Sequence, residues 1–285
     1  MTRVAENVLI RRGYVDVAGH QLHYRVARPA EMTPAATPIV CLHQTPTSSI
    51  EFEALIRELA VDRLVFAPDM PGYGGSDGPA LPQTLEYYAD MLAGAVQASG
   101  TLDVGTGRPV LYGYHSGAVM AAQIALSHSS WVAGIVLHGF PFRPMSERLE
   151  RIEALPRNLD LETYFEKVKW YYDMHVRRGP ESMSLHERTR NFAQDMIAGP
   201  SYWFAYDAVW RWPYDERLRQ IKVPSLAIAA DEMLREPTIA ASRLIPGCEL
   251  LEMPEVKGGS ALLLHAADLA PVVHTFAERV GRAPS

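Results

Sequence analysis

Three histidines stand at the ends of apolar runs in this chain. His43 follows Ile39-Val40-Cys41-Leu42, His115 lies within Gly113-Tyr114-His115-Ser116-Gly117-Ala118, and His138 closes the run from Val132 to Leu137. An unperturbed imidazole titrates near pH ~6.5, so a histidine facing a pocket can exchange protons or act as a nucleophile at neutral pH. Ser116, beside His115, carries a hydroxyl that can either attack a substrate or cap the N–H groups of a following helix. Asp231 and Glu232 follow the apolar run Leu226–Ala230 and are the carboxylates available to support an imidazole. The aromatic cluster Tyr202, Trp203, Phe204, Tyr206, Trp210 and Trp212 is denser than a small helical layer needs for packing, and Trp203 and Tyr206 are expected to line an apolar or aromatic-substrate pocket.

The elements that must position these residues follow from the hydrophobic pattern. Arg11–Val17 and Gln21–Ala27 read as two antiparallel strands joined at Ala18-Gly19-His20, and a Pro-rich loop follows. From Pro38 the chain alternates short, continuously apolar strands with helices, the pattern of a parallel sheet covered on both faces. The alternation stops at about residue 142 and resumes after 216, and the stretch between carries charge and aromatics at helical spacing. This predicts three parts: residues 1–141 as the first part of an α/β core, 142–216 as a helical cap, and 217–285 as the remainder of the core.

The strand order, the cap and three motifs resemble the α/β-hydrolase superfamily, particularly its capped branch of haloalkane dehalogenases, epoxide hydrolases and carbon–carbon bond hydrolases. Leu42-His43-Gln44-Thr45-Pro46-Thr47-Ser48-Ser49 is similar to the family's oxyanion loop. Pro68-Asp69-Met70-Pro71-Gly72-Tyr73-Gly74-Gly75-Ser76-Asp77 matches its second loop nearly residue for residue, and the segment around His115 stands at its nucleophile elbow. The resemblance implies a mostly parallel, doubly wound sheet of about eight strands with an inserted helical cap. It also implies a subset in which histidine replaces the usual nucleophile.

The elbow needs small residues two before and two after its central position, and Gly113 and Gly117 satisfy this for His115. Shifting the frame by one would make Ser116 the nucleophile and put bulky Tyr114 where a small side chain is required. The family's acid position counts to Met233, with Asp231 and Glu232 displaced from it, and the stretch Lys257-Gly258-Gly259-Ser260 has no histidine where the family places one. A conventional nucleophile–histidine–acid triad therefore does not assemble. His115 becomes the expected base or nucleophile, while His43 is expected to support the oxyanion loop. Tyr114, His138 and Gln44 are expected to face the substrate. The resemblance implies oxyanion donors on the backbone N–H groups of Ser116 and Gln44, with the Ser116 hydroxyl as a helix cap.

The reading is a cofactor-independent enzyme acting on a small hydrophobic or aromatic molecule by ester or lactone hydrolysis, or by a related lyase, cyclase or carbon–carbon cleavage reaction. A ligand-binding protein that kept the pocket and lost the triad is the alternative. A metal site on His43, His115 and His138 ranks last because it lacks the close spacing of zinc motifs, and neither metal nor cofactor is expected. The formal charge of -6 offers no basic face for nucleic acid or anionic membranes. Charges interrupt residues 1–14, no apolar run reaches membrane length, and Cys41 and Cys248 read as reduced, buried thiols; a cytoplasmic location is expected. The pattern leaves the oligomeric state open.

Overall fold

The computed structural model describes residues 8–29, 36–102, 107–157, 159–258 and 260–281. Residues 30–35 of the Pro-rich loop, the first seven residues and Gly259 lie outside this range. β1 (Ile10–Val17) and β2 (His20–Ala27) form an antiparallel ribbon. Ala18 and Gly19 between them both have positive φ, 48° and 83°, as the two-residue turn of a tight hairpin requires.

The crossover region begins with β3 (Ile39–Leu42), a short 3-10 turn (Ser49–Phe52) and α1 (Glu53–Leu59). It continues through β4 (Val65–Pro68), α2 (Leu85–Ala98), β5 (Val110–Tyr114), α3 (Ser116–Ser127) and β6 (Gly134–His138). Among the described residues only helices stand between β6 and the next strand. They are α4 (Met145–Glu153), α5 (Leu161–Tyr172) with a π-helical turn (Asp173–Arg177), α6 (Leu185–Ile197), a 3-10 turn (Gly199–Ser201), α7 (Phe204–Arg211) and α8 (Tyr214–Leu218). The chain closes with β7 (Ser225–Asp231), α9 (Arg235–Ser242), β8 (Glu249–Lys257), α10 (Ala261–Leu264) and α11 (Ala266–Gly281).

The eight strands form one sheet in the order β1-β2-β4-β3-β5-β6-β7-β8. The pairings of β1 with β2 and β2 with β4 are antiparallel, and all the rest are parallel. Because side chains alternate across a strand, the central strands feed two cores. Val40, Leu42 and Leu111 pack against α2 and α3 on one face, and Ile39, Cys41, Val110 and Tyr112 pack against α1 and α11 on the other. Cys41 is fully buried, whereas Cys248 is only half-buried, less than expected. Polar ties join the helical insert to the core: the Trp212 indole donates to Gln123 Oε1 at 2.7 Å, and buried Arg148 donates to the Trp210 and Trp212 carbonyls. β3, β5 and β6 are neighbours, so the three histidines at their carboxyl ends share one end of the sheet, where open α/β sheets bind ligands. No helix among the described residues is long and apolar enough to cross a membrane.

Candidate active site

The strand-to-helix junction turns at His115, whose backbone has φ 51° and ψ −114°. A non-glycine residue with positive φ costs on the order of 1–3 kcal/mol and persists only where its surroundings enforce it. The enforcement is steric. A Cβ on Gly113 would overlap the Gly117 carbonyl and the Ala118 backbone, and one on Gly117 would overlap the Leu42 carbonyl. The two positions that demand glycine therefore flank His115, which sits at the apex, and Ser116 begins α3.

His115 Nε2 lies 2.8 Å from Glu232 Oε2, although 117 residues separate them. The Glu232 side chain is only 4% exposed and that of His115 20%, so the carboxylate is interior while the ring keeps an open edge. Burial works to raise the Glu232 pKa, but the hydrogen bond and charge of His115 outweigh it and hold the carboxyl below its usual range. An ionised Glu232 accepts, so Nε2 carries the hydrogen and Nδ1 is left as the basic nitrogen. Gly139, at φ 66°, closes the pair from the side; a Cβ there would overlap both the imidazole and Glu232 Oε1. Asp231, the other carboxylate of the sequence reading, does not join them. It is exposed at the last position of β7 and paired with Lys257, whereas Glu232 lies in the bend that follows the strand and turns inward.

The oxyanion loop differs from the expectation. The Gln44 backbone N–H donates to Glu51 Oε1 at 2.8 Å, and the Gln44 side-chain amide donates to Glu51 Oε2 at 3.0 Å. The Gln44 backbone N–H and one amide N–H are thus taken by a carboxylate of the chain itself, and the backbone N–H is not an open oxyanion donor in this structure. Burial pushes the Glu51 carboxyl well above its usual range, with the nearby Asp195 adding to the effect against the two Gln44 hydrogen bonds. The Ser116 hydroxyl makes no capping bond to α3 and instead meets the Thr45 N–H at 2.7 Å and the Thr45 hydroxyl at 2.9 Å. The expected capping role is corrected: Ser116 latches the oxyanion loop to the elbow. Tyr206 of α7 reaches the same loop, its hydroxyl donating to the Thr45 carbonyl at 2.6 Å.

His43 is fully buried, and both its ring nitrogens are used: Nδ1 donates to the Gln44 carbonyl and Nε2 accepts from the Met70 N–H, each at 2.8 Å. It ties the oxyanion loop to the second loop and has no nitrogen left for a metal. His138 is also fully buried. Its Nδ1 lies 2.6 Å from the Tyr112 hydroxyl, Nε2 has no partner, and burial lowers its pKa to about 4. It lies behind the elbow, edge-on to Tyr114, which stacks on His115 with centroids 4.0 Å apart. Trp203 is buried in the insert, edge-on to Phe204. Neither His265 nor His274 stands in for the absent triad histidine, since they pair with Asp268 and Asp62.

Two residues were missed. Glu51 looks like an ordinary acidic residue in the first turn of a helix, and nothing in its spacing from Gln44 marks the contact. Asp69 collects His23, the Ser49 N–H and the Gly75 N–H at 2.8 Å each; burial alone would raise its pKa, but these partners hold it down to about 2. The loop Pro68–Asp77 that contains it signalled a turn, not a hub. Among the described residues, no three or more His, Cys, Asp or Glu side chains are arranged to hold a metal ion.

A mostly parallel sheet in which β2 alone runs against the other strands, a strained elbow after β5 and a helical insert after β6 define the class of α/β-hydrolase-type proteins. Residues 37–235 match the family model for the alpha/beta hydrolase fold, and the chain belongs to that family. Epoxide hydrolase A of Mycobacterium tuberculosis (strain ATCC 25618 / H37Rv) is 33% identical over 135 residues, covering 47% of this chain and 39% of the relative. The chain therefore matches about two-fifths of the length of that relative. A thermophilic esterase from Thermogutta terrifontis superposes with a TM-score of 0.72 at 19% identity, covering 95% of this chain and 99% of that one. The enol-lactonase of Burkholderia xenovorans LB400 superposes with a TM-score of 0.67 at 19% identity, covering 93% and 99%. At these identities the shared property is the fold.

Proposed function

We propose that this protein is a cofactor-independent hydrolase of small hydrophobic or aromatic esters or lactones, with His115 as its base. The observation that carries this reading is the His115–Glu232 pair at the apex of a strained elbow. In the proposed step, His115 Nδ1 takes a proton from water as the water oxygen attacks the acyl carbon, and Glu232 stabilises the imidazolium that forms. The Ser116 N–H, at the first position of α3, is the helix-terminal donor that receives the carbonyl oxygen. The helical insert, with its aromatic cluster, serves as the cap over an apolar substrate, and the protein works in the cytoplasm without nucleic acid or membrane partners. The esterase, enol-lactonase and epoxide hydrolase activities named for its relatives support the hydrolytic class.

A second reading is favoured by one observation: Glu51 occupies the Gln44 backbone N–H, which suits proton transfer without an acyl oxyanion. Turnover of short-chain aryl esters and lactones at neutral pH, compared in native protein, His115→Ala and Ser116→Ala, separates the possibilities. Loss only in His115→Ala supports hydrolysis by the imidazole, and full activity in that variant overturns it. Loss only in Ser116→Ala would return the reactive role to the serine. Absence of turnover in the native protein directs the search to lyase substrates and then to a ligand-binding role.

A further inference from the structure

The helical insert carries a second imidazole–carboxylate pair that the reading above does not use. His175, on the π-helical turn after α5, places Nε2 2.7 Å from Asp195 Oδ2 on α6. The Asp195 side chain is 6% exposed and that of His175 24%, so again a buried carboxylate holds a ring with one accessible edge. The Tyr171 ring lies parallel to the imidazole, 5° between planes and 6.1 Å between centroids. Lys167 sits over the Tyr171 and Tyr202 rings, and its charge, with that of His175, opposes the rise that burial imposes on the Asp195 pKa. Single π-helical turns recur at functional sites, where they place a side chain that a regular helix would not.

Contacts fix where this pair stands. α6 lies against the oxyanion loop and the start of α1: Gln194, adjacent to Asp195, accepts from the Ser48 hydroxyl at 2.7 Å, and Arg190 pairs with Glu53 of α1. The charge of Asp195 reaches both Glu51, which holds Gln44, and Tyr206, which holds Thr45. Thr45 in turn holds Ser116, the residue after His115. One loop therefore has the His115–Glu232 pair on its core side and the His175–Asp195 pair on its insert side.

We propose that His175, held by Asp195, is the proton donor to the leaving group in the hydrolysis described above, on which this inference rests. Water gives one proton to His115 and its oxygen bonds to the acyl carbon. The bond from that carbon to the leaving oxygen then breaks, and the leaving oxygen takes the Nδ1 proton of the His175 imidazolium. One water is consumed, one acid and one alcohol are formed, and the proton on His115 returns to His175 through solvent. Two separated imidazoles divide the work that one histidine performs in a triad.

The test is leaving-group dependence. Native protein, His175→Gln, Asp195→Asn and His115→Ala are assayed on two esters of the same acyl group, one with a nitrophenyl leaving group that departs without a proton and one with an alkyl alcohol that needs it. His175→Gln is expected to keep the nitrophenyl rate within about twofold and to lose on the order of 10²-fold or more on the alkyl ester. Asp195→Asn should show the same selectivity with a smaller loss, and it carries the test should His175→Gln not fold. Equal losses on both esters, or none on either, overturn the inference while leaving the His115 reading intact, provided His115→Ala is inactive on both. An active His115→Ala, or a native protein inactive on both esters, overturns the two together.

Discussion

Glu232 places a negative charge 2.8 Å from His115 and so fixes the hydrogen of the imidazole on Nε2. Glu232→Gln removes that charge while keeping size and shape. The expected outcome is a fall in kcat on the order of 10²-fold or more with KM little changed, read by steady-state kinetics on an aryl ester, because an uncharged amide cannot stabilise the imidazolium. A variant within about twofold of native would show that Glu232 only packs against the ring. Glu51 has the opposite expected sign. Glu51→Ala releases the Gln44 N–H, and if that group can receive an oxyanion, kcat/KM on aryl esters rises about tenfold or more. An unchanged or lower value would assign Glu51 to holding the loop or to the reaction itself. The residue types at the elbow were legible in the sequence because glycine at 113 and 117 has a steric meaning that needs no partner. The choice between Asp231 and Glu232 was not, since it depends on which of two successive side chains turns inward at the end of β7. Glu51 was illegible for a similar reason: its partner, Gln44, is fixed only when the 3-10 turn brings residue 51 back over the loop.

At the scale of elements, the elbow is a joint between β5, α3 and the end of β3, and its tolerance to added atoms is testable. Gly117→Ala puts a methyl into the Leu42 carbonyl, so β3 and α3 must separate. The expected cost is about 3 kcal/mol or more in chemical denaturation, since neither a strand nor a helix backbone can shift alone. Gly139→Ala differs, because its methyl meets side chains, the His115 ring and Glu232. It should destabilise less, with activity falling more sharply than stability, as the His115–Glu232 hydrogen bond is the contact it displaces. The strand and helix pattern that builds this joint was legible, since continuous apolar runs and alternating helices leave few topologies open. The helical insert was legible as a break in that pattern. The His175–Asp195 pair was not, because a π-helical turn shifts the spacing from which helical neighbours are inferred.

The whole molecule should register these buried groups in its dependence on pH. His138 is buried neutral, its pKa lowered from 6.5 to about 4 chiefly by desolvation, and that of His43 is lowered for the same leading reason. Between those two values for His138 the unfolded chain binds the proton and the folded chain does not, so stability rises with pH across that window and is lost as pH falls through it. Glu51 and Asp195 act in the opposite sense, because their raised pKa values keep a proton on the folded chain after the unfolded chain has released it. Asp69 and Glu232, both lowered, add stability above the unfolded carboxylate range that is lost as pH falls through their folded values. The sum mixes signs, so a difference measurement is needed to isolate one group. Urea denaturation of native protein and His138→Gln at several pH values between about 4 and 6.5 provides it. The groups facing His138, namely Tyr112, Tyr114, His115 and Glu232, are common to both proteins, and their contributions largely cancel. The native protein should gain on the variant by about 1 kcal/mol per pH unit across the window and by nothing above it. A stability difference that stays constant with pH would mean that His138 binds its proton as readily inside the fold as in the unfolded chain.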